Sequence, residues 1–214
     1  MTTVHDLQNE ILLVPPSSQG LDADFSDASM TLQELLRLRR SSREFDARAL
    51  PLYTLSRLLW AACGVNRPAE GKRTAPSARG EQAISVYVAQ ADGLYLFEPS
   101  DLVLRQISAA DLRGATGLQD FVAAAPLNLV YVASLLPYDE VSDEEQLFMA
   151  AMDTGFISEN VYLFCAAEGL ATVVRGWIDR PALAAQMGLG GRQHIIAAQT
   201  VGYPATSAPG PGPA

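Results

Sequence analysis

Apolar positions recur along this chain at two spacings, and the change from one to the other outlines its elements. Leu32, Leu35 and Leu36 mark one face of a helix, with Thr31 and Glu34 placed as a capping box at its start. After Leu50-Pro51, a second helix is predicted by Leu55, Leu58, Leu59 and Ala62, closed by Gly64. Alternation at Ile84, Val86 and Val88 predicts a strand, and Asp92-Gly93 turns it into another over Leu94-Tyr95-Leu96-Phe97. Val103 to Ile107 reads as a further short strand. Ser108 with Asp111 reads as the cap of a helix running into Gly114, and Gly117 to Ala125 as a brief helix. Leu127 to Ala133 is a β-rich apolar run, the pattern of a central strand buried on both faces.

Ser142 with Glu145 forms another capping-box pattern, opening a helix that reaches Ala167 and stops at Gly169. From Leu147 onward this helix keeps little polar face, which assigns it to a core or to a subunit interface. Thr172-Val173-Val174 is a short strand, Asp179 with Pro181 opens a helix toward Met187, and His194 to Val201 is the last strand. Residues 1–30 read as an extended arm carrying the apolar stretch Ile11 to Val14, of the kind that packs on a partner subunit. Asn66 to Gly80 is a long polar loop with four basic residues, Pro137 to Asp143 an acidic loop, and 205–214 a Pro, Gly, Ala and Ser tail expected to be disordered. With no repeat and no sharp composition break, residues 31–204 form one α+β domain.

Composition narrows the function. The formal net charge is −9, from 24 acidic and 15 basic residues, so the surrounding field repels nucleic acid and anionic membranes. No segment is long and apolar enough to span a bilayer, and the N-terminus shows no signal-peptide pattern. Cys63 and Cys165 sit far apart among apolar residues, which reads as buried free thiols in a reducing, cytoplasmic compartment. There is no G-x-G-x-x-G after a strand, no P-loop, no H-E-x-x-H and no Cys/His cluster. Histidine occurs only at positions 5 and 194, poor material for a hydrolytic triad. If the chain is an enzyme, a cofactor carries its chemistry.

One cluster stands against the acidic background: Arg39-Arg40-Ser41-Ser42-Arg43, directly after the first helix. Its guanidinium groups are suited to forked contacts with phosphate oxygens, the serine hydroxyls completing a cradle. Cations at a helix C-terminus also complement the helix dipole without any ligand, and charge alone favours that plainer reading.

Four motifs reverse the order. Arg39-Arg40-Ser41-Ser42-Arg43-Glu44-Phe45, Arg73-Thr74-Ala75-Pro76-Ser77-Ala78-Arg79-Gly80-Glu81-Gln82, Gly169-Leu170-Ala171-Thr172 with Val174-Arg175-Gly176, and Val201-Gly202-Tyr203-Pro204 together resemble the nitroreductase family, and within it the SagB-type branch. The resemblance implies an intertwined homodimer of α-β-α sandwiches, each with a mainly antiparallel sheet flanked by helices, binding FMN at the interface. By similarity, Arg39, Arg40, Ser41 and Arg43 hold the FMN phosphate and ribityl chain. Pro76, Ser77, Ala78, Arg79 and Gly80 come from the other protomer to cover the flavin ring, with Gln82 beside them. The backbone of Arg175 and Gly176 approaches flavin N5 and O4, and Gln119 is a further contact. Two departures stand out: Gly80 occupies a position where members often carry Asn, and no basic residue follows Pro204.

The implied activity is reduction of nitroaromatic, quinone or related small-molecule acceptors by NADH or NADPH, by ping-pong hydride transfer. The alternatives are a SagB-type azoline or peptide dehydrogenase and a flavin-binding protein without turnover.

Overall fold

A computed structural model describes residues 10–15, 30–137 and 141–205 of the chain. Its centre is a seven-stranded sheet built from β1 (Glu10–Leu12), β4 (Ile84–Gln90), β5 (Gly93–Glu98), β6 (Val103–Ser108), β7 (Leu127–Ser134), β8 (Ala171–Arg175) and β9 (Gln193–Gly202). The strands lie in the order β1-β6-β5-β4-β7-β9-β8, and each neighbouring pair is antiparallel. Among the described residues, four α-helices accompany the sheet: α1 (Leu32–Leu38), α2 (Leu52–Cys63), α3 (Asp143–Ala167) and α4 (Arg180–Met187).

The period of two in β4 and β7 divides the core into two layers. Val86, Val88, Leu129, Tyr131 and Ala133 face one cluster, which α2 fills with Leu55, Leu58 and Leu59 and α3 with Ile157, Val161 and Phe164. Tyr87, Ala89, Val130 and Val132 face the other, filled by Leu183 and Met187 of α4. Both strands are therefore sandwiched between helices, as expected for the α+β nitroreductase-like fold.

At α1, the capping box is complete: Glu34 N–H donates to Thr31 Oγ1, and the Glu34 carboxylate accepts from the Thr31 N–H at 2.7 Å. At α3 only half of it forms among the described residues, the Glu145 N–H donating to Ser142 Oγ at 3.2 Å. Asp143, Glu144 and Glu145 instead put negative charge on the first turn, where the helix dipole favours it.

Four expectations change. The helix expected from Ser108 to Gly114 is a bend leading into a 3₁₀ turn, Arg113–Thr116, because the Asp111 carboxylate is taken by the Arg113 guanidinium and N–H. Gly117 to Ala125 is a series of turns with no α-helix. The long loop from Asn66 contains a small antiparallel pair, β2 (Val65–Arg67) and β3 (Lys72–Arg73). The arm does not leave its own protomer where it is described: β1 adds to the sheet edge against β6, and the Val14 N–H donates to Ser56 Oγ at 3.0 Å. The rest of the arm, part of the acidic loop and tail residues 206–214 lie outside the described residues.

Helix α3 meets the core part of its expectation on one face. Ile157, Val161 and Phe164 are in the core, while Phe148, Met152 and Phe156, spaced by four, are 65%, 43% and 48% exposed. This leaves an apolar stripe open on the outer face.

Cys63 and Cys165 are buried and free, and burial pushes the Cys63 thiol up to about 12 and Cys165 higher still. Near neutral pH, neither is expected to react with an aromatic disulfide reagent until the protein is denatured, and fast reaction of the native protein would contradict the packing. With both folded values above the ordinary thiol value, stability from these sites is intact below that value and declines as pH rises through it, which alkaline unfolding curves of the Cys63→Ala and Cys165→Ala variants would read.

Candidate functional site

Three of the four motif segments meet around β8, and Tyr162 of α3 joins two of them. Its Oη accepts from the Val174 N–H at 2.9 Å and lies 2.9 Å from Ser41 Oγ. The Arg39 guanidinium stands over the same ring, 5.3 Å from its centroid. The Ser42 N–H donates to the Thr172 carbonyl at 2.9 Å, which runs the segment after α1 alongside β8. Arg39 is the C-cap residue of α1, and its φ and ψ of −54° and 123° release the chain into an extended path. The rest of the cluster thus lies beyond the helix rather than on its last turn.

The third segment closes on the first. Phe45 bridges to Pro204, the Asp46 N–H donates to the Tyr203 carbonyl at 2.9 Å, and the Arg48 guanidinium covers the Tyr203 ring at 3.5 Å. Gly202 accounts for its own residue type: a Cβ there would stand 2.8 Å from Pro126 Cδ, too close for any side chain, with Phe45 Cδ1 at 3.3 Å.

At the end of β8 the chain buries a cation. Arg175 is 4% exposed, and its guanidinium donates to the Thr200 hydroxyl (2.9 Å), the Thr116 carbonyl (2.8 Å) and Asn128 Oδ1 (2.8 Å). No carboxylate is among these partners, and burial lowers its pKa to about 10, so it stays charged at neutral pH. Its side chain therefore points into the fold, leaving the exposed backbone of Gly176 as the accessible part of this motif. The Leu118 N–H donates to the Trp177 carbonyl at 3.1 Å, which holds Gln119 next to this strand end. Among the described residues, Gln119 Oε1 is a buried side-chain oxygen with no hydrogen-bond partner.

Arg40 and Ser42 border a cavity of about 200 Å³ with Cys165, Leu170 and Pro204 around it. Arg40 and Arg43 are exposed and form no ion pair among the described residues.

The remaining motif is not brought to this place. Pro76 to Gly80 packs beside the middle of α3, where the Ala78 N–H donates to the buried carboxylate of Asp153 at 2.9 Å. The nine steps from Asp153 to Tyr162 correspond to about 13 Å along the helix axis. The loop is tightly held: the Gln82 N–H donates to Ser77 Oγ (2.8 Å) and Gln82 Nε2 to the Gly71 carbonyl (2.9 Å). Arg79 and Gln82 adopt left-handed φ values of 56° and 53°, conformations that cost a residue with a Cβ about 1–2 kcal/mol.

Sequence patterns did not single out Tyr162, Asp153, Asn128 or Thr200. A lone carboxylate on the inward face of an apolar helix is a signal that could have marked Asp153. Tyr162 reads like any other half-buried aromatic until its hydroxyl partners are seen.

The antiparallel α+β sandwich with motifs gathered at β8 is that of the nitroreductase-like oxidoreductases. The chain belongs to the nitroreductase family, whose model matches residues 36–203. A nitroreductase-family structure from Ralstonia eutropha superposes with a TM-score of 0.84 at 44% identity, covering 94% of this chain and 91% of that one. A nitroreductase-family protein of Methanocaldococcus jannaschii is 32% identical over 155 residues, which is 68% of this chain and 78% of the relative. The NADPH:FMN oxidoreductase of Vibrio harveyi, solved with NAD⁺, shares the fold at a TM-score of 0.62 and 18% identity, over 81% of this chain and 69% of that one.

Removing the Tyr162 hydroxyl tests the junction. Tyr162→Phe leaves the Val174 N–H without its acceptor and Ser41 without its anchor, so urea unfolding is expected to show a loss of about 1–2 kcal/mol. An unchanged midpoint and slope would mean that water replaces the hydroxyl at no cost.

Proposed function

We propose that this family member is an FMN-dependent oxidoreductase that uses NADH or NADPH to reduce small acceptors such as nitroaromatics and quinones. The observation that carries the reading is the junction at Tyr162, which brings Arg39 and Ser41 of the basic segment to the end of β8. The residues present fit the cofactor: unpaired exposed guanidinium groups suit a phosphate, the buried orphan oxygen of Gln119 suits a donor on a polar ring, and Gly176 offers an exposed backbone. Bound FMN would supply the redox chemistry, carrying two electrons from the nicotinamide donor to the acceptor.

The protein's part is to bind and orient. Arg39, Arg40, Ser41 and Arg43 neutralise the phosphate and hold the ribityl chain. The backbone N–H groups at Arg175 and Gly176 would hold the flavin ring and favour negative charge on it.

The loop from Pro76 to Gly80, with Gln82, serves the partner's ring in a homodimer. Its separation from Tyr162 along α3 supports that division of labour, and the open stripe of Phe148, Met152 and Phe156 supports a subunit contact along the same helix. Placement in the SagB-type branch rests on the sequence motifs.

Purified protein is expected to be yellow or to take up FMN, and to lose the flavin's visible absorbance anaerobically with NADH or NADPH. Colourless protein that takes up no FMN would overturn the reading, and flavin that neither donor bleaches would indicate storage. Arg43→Ala, which removes no side-chain hydrogen bond or ion pair among the described residues, is expected to weaken FMN binding by on the order of 1.5–3 kcal/mol in a fluorescence titration.

A further inference from the structure

A second cationic cluster lies outside the residues used so far. Arg57, Arg79, Arg105, Arg113 and Arg192 each have a carboxylate partner. Arg67, Lys72 and Arg73 have none among the described residues, although acidic residues outnumber basic ones by 24 to 15. All three border one open cavity of about 290 Å³, with Glu70 as its acidic member. The β2–β3 hairpin sets them there: Arg67 Nη2 donates to the Arg73 carbonyl at 3.2 Å, fixing one guanidinium across the pair.

The opposite wall is the loop assigned above to the partner's flavin ring. Ala75, Pro76, Ser77, Gly80 and Gln82 line the cavity, combining an apolar surface with polar edges. Gly80 lets the ammonium in close. Its φ is +72°, and a Cβ there would sit 3.2 Å from Lys72 Nζ. A lining that includes Arg67, Lys72 and Arg73 suits a compact dianion better than a single carboxylate. The two electron donors of the proposed reaction differ by one such group.

We propose that the cavity walled by Arg67, Lys72 and Arg73 receives the 2′-phosphate of the nicotinamide dinucleotide, so that NADPH is the preferred donor. This assignment rests on the proposed reductase function, which places the donor beside the 76–80 loop. The cations act by binding only. The position of the loop also means that the donor's phosphate and its nicotinamide are served by one continuous stretch, from the hairpin to Gly80.

The test pairs a binding measurement with a kinetic one on the FMN-loaded protein. By calorimetry, adenosine 2′,5′-bisphosphate is expected to bind about tenfold or more tightly than adenosine 5′-monophosphate, and Lys72→Glu is expected to erase that difference. The ratio of kcat/KM for NADPH to that for NADH is expected to exceed one in the wild type, to fall about tenfold or more in Lys72→Glu, and to fall less in Lys72→Ala. Equal binding of the two adenosine phosphates, or a donor ratio that Lys72→Glu does not move, would overturn the assignment. If the bisphosphate is preferred and Lys72→Glu abolishes the preference while neither donor bleaches the flavin, the cavity assignment stands and the reductase reading falls.

Discussion

The Arg175 guanidinium has to be kept solvated inside the protein, and the end of β8 is arranged around that requirement. An unpaired buried charge is costly, and here neutral oxygens meet it in place of a carboxylate. Asn128 comes from β7, Thr200 from β9 and Thr116 from the turn after β6, so one side chain ties two strands and a loop together. Thr200 also donates to Asn128 Oδ1 at 2.6 Å, which orients the acceptor that Arg175 uses. With no carboxylate among its described partners, Arg175 is a permanent cation one residue from Gly176. In the proposed function that charge reinforces the backbone donors facing the ring.

Helix α3 is the other organiser. Within one element it supplies core side chains, the Tyr162 hydroxyl that joins two motif segments, the Asp153 carboxylate that anchors a third, and an open apolar stripe. A helix that is apolar on nearly every side meets such demands because its faces look onto different surroundings: the sheet, the β8 edge, the 76–80 loop and the exterior.

Period carried most of the fold from sequence. Leu127 to Ala133 shows a buried central strand without tertiary information, since nearly every position must be apolar when both faces are covered. Turns were less legible. Ser108 and Asp111 carry helix-capping side chains, but the Arg113 guanidinium competes for the Asp111 carboxylate, and no local pattern announces that competition. At the site, the arginine and serine positions were visible as motifs, whereas Tyr162 and Asp153 acquire meaning only when 121 and 75 residues of chain separation are folded away. The direction of the Arg175 side chain was equally hidden, because a motif fixes a residue type and not the face it turns to.

The left-handed backbone at Arg79 and Gln82 bears on how this protein can change. Glycine or asparagine would relax the backbone at both positions. The same substitutions would discard the Gln82 amide that clamps the loop to Gly71 and the guanidinium beside Glu81. Backbone ease and side-chain fastening thus compete at two residues, and a change that relieves one loosens the other.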